Sequence, residues 1–100
     1  MAQSRPIRVH PLFFETLDEL LPEARGADGT PSASDFLRID LPPILDALAA
    51  DFEGCTTPDP GLSKARAYTT WGVVVGPVAV YAEVSDDGAV EVLLLVLGGY

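Results

Sequence analysis

Apolar and polar positions change period several times along this chain, and each change marks an element. Ile7-Arg8-Val9 alternates and predicts a short strand. Pro11 biases His10 toward an extended backbone. From Leu12 the period becomes helical. Leu12, Phe13, Leu17, Leu20 and Leu21 fall on one face, with Glu15, Asp18 and Glu19 opposite. Pro11 suits a first turn and Pro22 a stop, so the pattern predicts a helix over about Pro11 to Leu21. Residues 23 to 31 read as a loop.

Ser32, three residues before Asp35, offers an N-cap, and Ser34 offers a second. A helical stretch through Phe36, Leu37 and Ile39 follows. Pro42-Pro43 is expected to interrupt it, since neither proline donates a backbone hydrogen bond. Pro43 then opens a new helix with Ile44, Leu45, Leu48 and Phe52 on one stripe, Asp46 and Asp51 off it, and Gly54 as its stop. Cys55 to Lys64 reads as a loop. After it β-branched and aromatic residues dominate. They predict strands over Tyr68 to Val75, Val78 to Ser85 and Ala89 to Leu97, with a break at Gly76-Pro77.

Matching faces selects the register of the last hairpin. A two-residue loop at Asp87-Gly88 would set Val84 against Glu91. A three-residue loop, Asp86-Asp87-Gly88, sets Val84 against Val90, Ala82 against Val92 and Val80 against Leu94, with Gly88 left-handed. Its consequence is Glu83 opposite Glu91 on the other face. Both carboxylates then point into water, or they form a site for a cation or an Arg/Lys partner. The expected fold is α+β: one domain over residues 1–100, with two to three helices on one face of a small antiparallel sheet. The element order is β-α-α-β-β-β, with Ile7 to Val9 as an edge or central strand.

Apolar residues make up 48% of the chain and charged residues 21%, a globular balance rather than a disordered one. The longest apolar run, Val92 to Leu97, is far shorter than the ~20 residues a membrane helix needs. The opening residues lack the apolar run of a signal peptide, and the lone Cys55 permits no internal disulfide, so a cytoplasmic location is expected. The net charge of −9 argues against general nucleic-acid binding and suits either solubility or a basic partner.

Little in the chain has a catalytic spacing. One His and one Cys give no metal-ligand pattern, and no cofactor is expected. His10 reads as a local hydrogen-bonding residue. Asp51 and Glu53 beside Cys55 work against a reactive thiolate. The glycines form no phosphate-binding loop. Lys64, Arg66, Tyr68 and Trp71 are the one concentration of basic and aromatic residues, with Arg66, Tyr68 and Thr70 on one face of an extended segment and Trp71 on the other. Such a set can grip a single strand of nucleic acid. The plainer reading is an ordinary strand with Trp71 in the core.

Ile7 to Phe13, Gly76 to Val84 and the acidic Ser85-Asp86-Asp87-Gly88 turn together resemble the RelE/ParE superfamily of bacterial toxin–antitoxin proteins. Ile7-Arg8-Val9-His10-Pro11-Leu12-Phe13 is similar to that family's opening strand and its h-P-x-F entry into helix one. Gly76-Pro77-Val78-Ala79-Val80-Tyr81-Ala82-Glu83-Val84 resembles its G-[YH]-R-[LV]-x-Y-x-V strand, and Ser85-Asp86-Asp87-Gly88 its acidic turn. The resemblance implies a strand, two helices and a three-stranded meander. It also implies a protein partner, antitoxin-like or other, or a homodimer. The family's ribonucleases use basic residues, but its strand arginine falls here on Val78 and its final basic position on Gly99. Tyr100 matches the C-terminal aromatic of some relatives.

Three functions follow as expectations. One is a divergent RelE/ParE-like domain acting by protein binding. Another is a ribosome-dependent mRNA endoribonuclease using Tyr100, Arg66 and Lys64 as catalytic residues. The third is an acidic inhibitor or immunity-like protein for a basic partner. Tyr68, Tyr81, Glu83 and Glu91 are the candidate binding residues.

Overall fold

The computed structural model describes residues 5–24, 26–27, 29–58 and 64–97. Strand β1 (Ile7–Val9) leads through His10 into helix α1 (Pro11–Leu20). His10 caps that helix, its Nδ1 accepting the Leu12 N–H at 3.0 Å. This is the local role expected of it. Phe13 and Leu17 face the core, followed by Leu21 just past the helix. The buried stripe is narrower than the sequence pattern implies, because Leu12 and Leu20 lie at its margins and stay about 40% exposed.

Ser32 and Asp35 form a reciprocal capping box at the start of α2 (Ala33–Asp35), and Ser34 is not the cap. The interruption expected at Pro42-Pro43 does not occur. The chain stays helical through a π-helical segment (Phe36–Asp40) directly into α3 (Leu41–Ala50). The Leu41 N–H bonds the Phe36 carbonyl, five residues back, and both prolines then fall in the first turn of α3. First-turn N–H groups have no α-helical partner, so their absence costs nothing there. Gly54 is not a helix stop either. Helix α3 ends at Ala50, and Asp51 caps a short α4 (Phe52–Cys55) by accepting the Gly54 N–H at 3.1 Å.

The sheet has five strands in the order β1-β5-β4-β3-β2, with β2 Thr57–Pro58, β3 Arg66–Trp71, β4 Pro77–Val84 and β5 Val90–Leu97. It is mixed rather than antiparallel, because β1 runs parallel to β5 at the edge, pairing Ile7 with Val90 and Val9 with Val92. The whole intervening chain supplies the crossover that a parallel pair requires. Strand β2 falls within the segment expected to be loop and pairs with the start of β3.

The β4–β5 hairpin has the expected three-residue loop. Ser85 N–H bonds the Ala89 carbonyl at 2.9 Å, and Gly88 takes φ +88°. Val84 faces Val90, Glu83 faces Glu91 and Ala82 faces Val92, as the face matching requires. Beyond that the register slips. Tyr81 pairs with Leu94 and Val80 with Leu95, leaving Leu93 as an extra residue in β5. This β-bulge corrects the expected Val80–Leu94 pair. Its reason is parity: Val90 and Val92 are buried, and the extra residue brings Leu95 instead of Leu94 to the same face.

Paired residues share a face, so the register sorts the whole sheet. Val78, Val80, Ala82, Val90, Val92 and Leu95 pack with Phe13, Leu17, Phe36, Ile44, Leu48 and Phe52 in one core. Each large side chain fully buried there stabilises the fold by about 1.5–3 kcal/mol. Val78 is fully buried. The opposite face carries Arg8, Glu91, Glu83, Tyr81, Leu94, Thr69, Ala79 and Val96.

Candidate functional site

Strand β3 stops at Trp71, four residues before the expected end at Val75. The cause is Asp40, the last residue of the π-helical segment, which is 4% exposed. Its Oδ1 accepts the N–H groups of Val73 at 2.7 Å and Val74 at 3.0 Å. Its Oδ2 accepts Val74 at 3.1 Å and Val75 at 2.8 Å. Successive N–H groups converging on one carboxylate cannot belong to a strand, where they alternate in direction. Gly72 closes the loop, its N–H bonding the Gly76 carbonyl at 3.1 Å. A methyl group at Gly72 would collide with the Asp40 carboxylate and the Val75 carbonyl.

The anchored loop walls a cleft of about 120 Å³ with Ile39, Pro43 and Ile44 on one side and Tyr68, Thr70, Trp71 and Val73 on the other. That holds one amino-acid side chain, well below the ~300 Å³ where cofactor and drug-sized pockets begin. The rim is apolar and open. Trp71 is 75% exposed, Val73 87% and Ile39 40%. Trp71 is therefore not a core residue. It belongs to the sheet face opposite the helices, paired with Pro77, and its indole lies over Gly76.

The residues singled out from the sequence are spread over the molecule. Arg66 is engaged structurally: its Nε donates to Thr56 Oγ1 at 2.7 Å and its Nη2 to the carbonyls of Thr56 at 3.0 Å and Glu53 at 3.3 Å. It ties α4 and β2 to β3. Lys64 is exposed just before the same strand, and Tyr100 lies outside the described residues, as does Gly99. Tyr68 is half-buried and lines the cleft. Tyr81, Glu83 and Glu91 sit together on the other face. The Arg/Lys partner sought for the acidic pair is the chain's own Arg8, with Nη2 3.6 Å from Glu91 Oε2 and Nη1 2.7 Å from Asp87 Oδ2.

No family model, curated protein or solved structure matches this chain. Its chemistry must be read from its own side chains. Among the described residues no group of three or more His, Cys, Asp or Glu could hold a metal ion. None of their helices is long and apolar enough to cross a membrane. Burial pushes the Cys55 thiol up, and the Asp51 charge adds to that. The sulfur lies 3.5 Å from the Ala47 carbonyl. The neighbours that the sequence placed beside Cys55 act as expected, with desolvation the larger cause.

Asp40 and the exposed Trp71–Val73 rim are the features the sequence reading missed. The available signal was the pair Gly72 and Gly76, which bracket three valines and mark a loop inside an apparently continuous strand.

Proposed function

We propose that this chain is a RelE/ParE-like domain of toxin–antitoxin type that acts by binding a protein partner. The observation that carries the reading is the exposure of Trp71 and Val73 on a loop held by the Asp40 carboxylate. Large apolar side chains on a rigid support are the usual anchors of protein interfaces, because little conformational freedom is lost on docking. The reading also leans on the resemblance of residues 7–13 and 76–88 to the RelE/ParE strings. The distribution of polar groups also supports binding over bond cleavage. Arg66 spends its guanidinium on Thr56 and Glu53.

The test is co-expression of the tagged chain with the product of the adjacent reading frame. Retention of that product at stoichiometric level, lost in Trp71→Ala and Val73→Ser variants that still fold, is the expected result. A chain that retains no neighbour and is harmless when overproduced overturns the reading. Primer extension on translating ribosomes checks the ribonuclease alternative. Cleavage that disappears in Arg66→Ala while the fold persists would favour it over docking.

A further inference from the structure

We propose that the occupant of the Trp71 cleft is a cationic segment of the partner protein, carrying one large apolar side chain between basic residues. This rests on the protein-binding reading above and adds the chemistry of what binds. The apolar half follows from the cleft itself, whose ~120 Å³ and apolar walls suit a single Leu or Phe side chain.

The cationic half follows from the charge left unanswered. Among the described residues the basic groups are largely consumed within the chain. Arg5 pairs with Glu53, Arg8 with Asp87 and Glu91, and Arg38 with Asp35, while Arg66 holds Thr56. Lys64 stands at the end of β3 remote from Trp71. Glu15, Asp18, Glu19, Asp46, Glu83 and Asp86 make no ion pair among the described residues.

Asp46 is the acid that matters for the cleft. It is exposed on α3, three residues beyond the cleft-lining Pro43 and hence beside it on the helix surface. Asp40, although at the cleft, has its carboxylate turned to the loop N–H groups. The Trp71 indole supplies a second attraction, since an exposed ring face draws an Arg or Lys head group. Asp46 on the helix side and the Trp71 ring on the far rim thus each offer a cation a place beside the apolar anchor. An acidic segment would meet a chain of net charge −9 with no cation lining the cleft among the described residues.

Trp71 is the single tryptophan, so its emission reports on this site alone. The probes are three capped peptides without Trp or Tyr: KKALFAKK, EEALFAEE and KKAGSAKK. KKALFAKK is expected to shift the emission to the blue saturably, weakening with added salt. EEALFAEE is expected to give no shift, and KKAGSAKK to bind about tenfold more weakly. Asp46→Lys is expected to weaken KKALFAKK by about three- to tenfold while the free protein's emission stays unchanged. Equal binding of KKALFAKK and EEALFAEE, no binding of KKALFAKK, or an Asp46→Lys protein that binds as well as the wild type overturns the inference. Retention of the neighbouring gene product by the Trp71→Ala chain then separates the two failures. If it is retained, protein binding stands and only the cleft assignment falls; if the wild type retains nothing, the reading beneath it has failed.

Discussion

The Asp40 carboxylate accepts the Val74 N–H with both oxygens, at 3.0 and 3.1 Å, and takes Val73 and Val75 on either side. One buried side chain thereby sets the end of a strand, the shape of a loop and the rim of the cleft. Asp40→Ala leaves these part-buried N–H groups without their acceptor, and a hydrogen bond to a charged group contributes about 1.5–3 kcal/mol. We expect Asp40→Ala to lower stability by about 2–4 kcal/mol in urea denaturation, on the same scale. Asp40→Asn should recover only part, because its NH₂ group faces donors. A loss under about 0.5 kcal/mol, the scatter of ordinary surface substitutions, would mean that the loop holds its shape without Asp40.

Gly72→Ala should be destabilising for a reason of space. Its methyl would overlap the Asp40 carboxylate and the Val75 carbonyl, one of them main chain and unable to swing away. Overpacking of this kind costs about 1–3 kcal/mol. The Asp40→Ala, Gly72→Ala double mutant should lose less than the sum, since the first change removes one of the two obstacles to the second, while the Val75 carbonyl stays. Thermal midpoints of the three variants measure the coupling.

Arg66→Ala should reduce stability by about 1–2 kcal/mol, through loss of the bonds to Thr56 and Glu53. Hydrogen exchange should quicken first around residues 52–58, the segment Arg66 ties to β3. Unchanged protection there would remove the structural role assigned to this side chain.

Asp87 governs a pH response at the hairpin loop. The Arg8 guanidinium, the Ser85 hydroxyl and the Ala89 N–H hold its carboxyl well below the ordinary 3.8. A folded-state value below the unfolded one means the stabilisation is fully present above about pH 3.8 and is lost as pH falls toward the folded value. The stability difference between wild type and Asp87→Asn should therefore shrink on acidification below that point and shrink again with salt, since the pair is exposed. A difference that stays constant from pH 6 to pH 2 would contradict the linkage.

Cys55 should be a slow nucleophile. Its raised pKa leaves less thiolate at any given pH, so alkylation by iodoacetamide should have a midpoint above 9.0 in the folded chain and speed up on unfolding. A midpoint below about 8 would call for a cation near the sulfur that the present arrangement does not provide.

Much of the fold was legible because local rules settled it. The Ser32–Asp35 box, the His10 cap and the Asp86-Asp87-Gly88 loop each join residues within five positions of one another, so the pattern contains both partners. The errors fall where a local rule met a distant competitor. Pro42-Pro43 reads as a break, yet the wide π turn before it places both rings where no N–H is needed. Three valines after Trp71 read as strand, yet Asp40 turns them. Of the candidate site, the sequence located Tyr68 and Trp71 but assigned the indole to the core or to a nucleic acid. It could not know that β3 ends at Trp71.

By itself the sequence determined the α+β class, the order of its main elements, the first part of the hairpin register and the Glu83–Glu91 pair, since period, caps and turn chemistry act over a few residues. Tertiary structure alone decided the parallel seat of β1, the Leu93 bulge and the cleft. Those depend on which face must be buried and on contacts such as Asp40 to Val73, 33 residues apart, where many partners are chemically possible and only packing selects one.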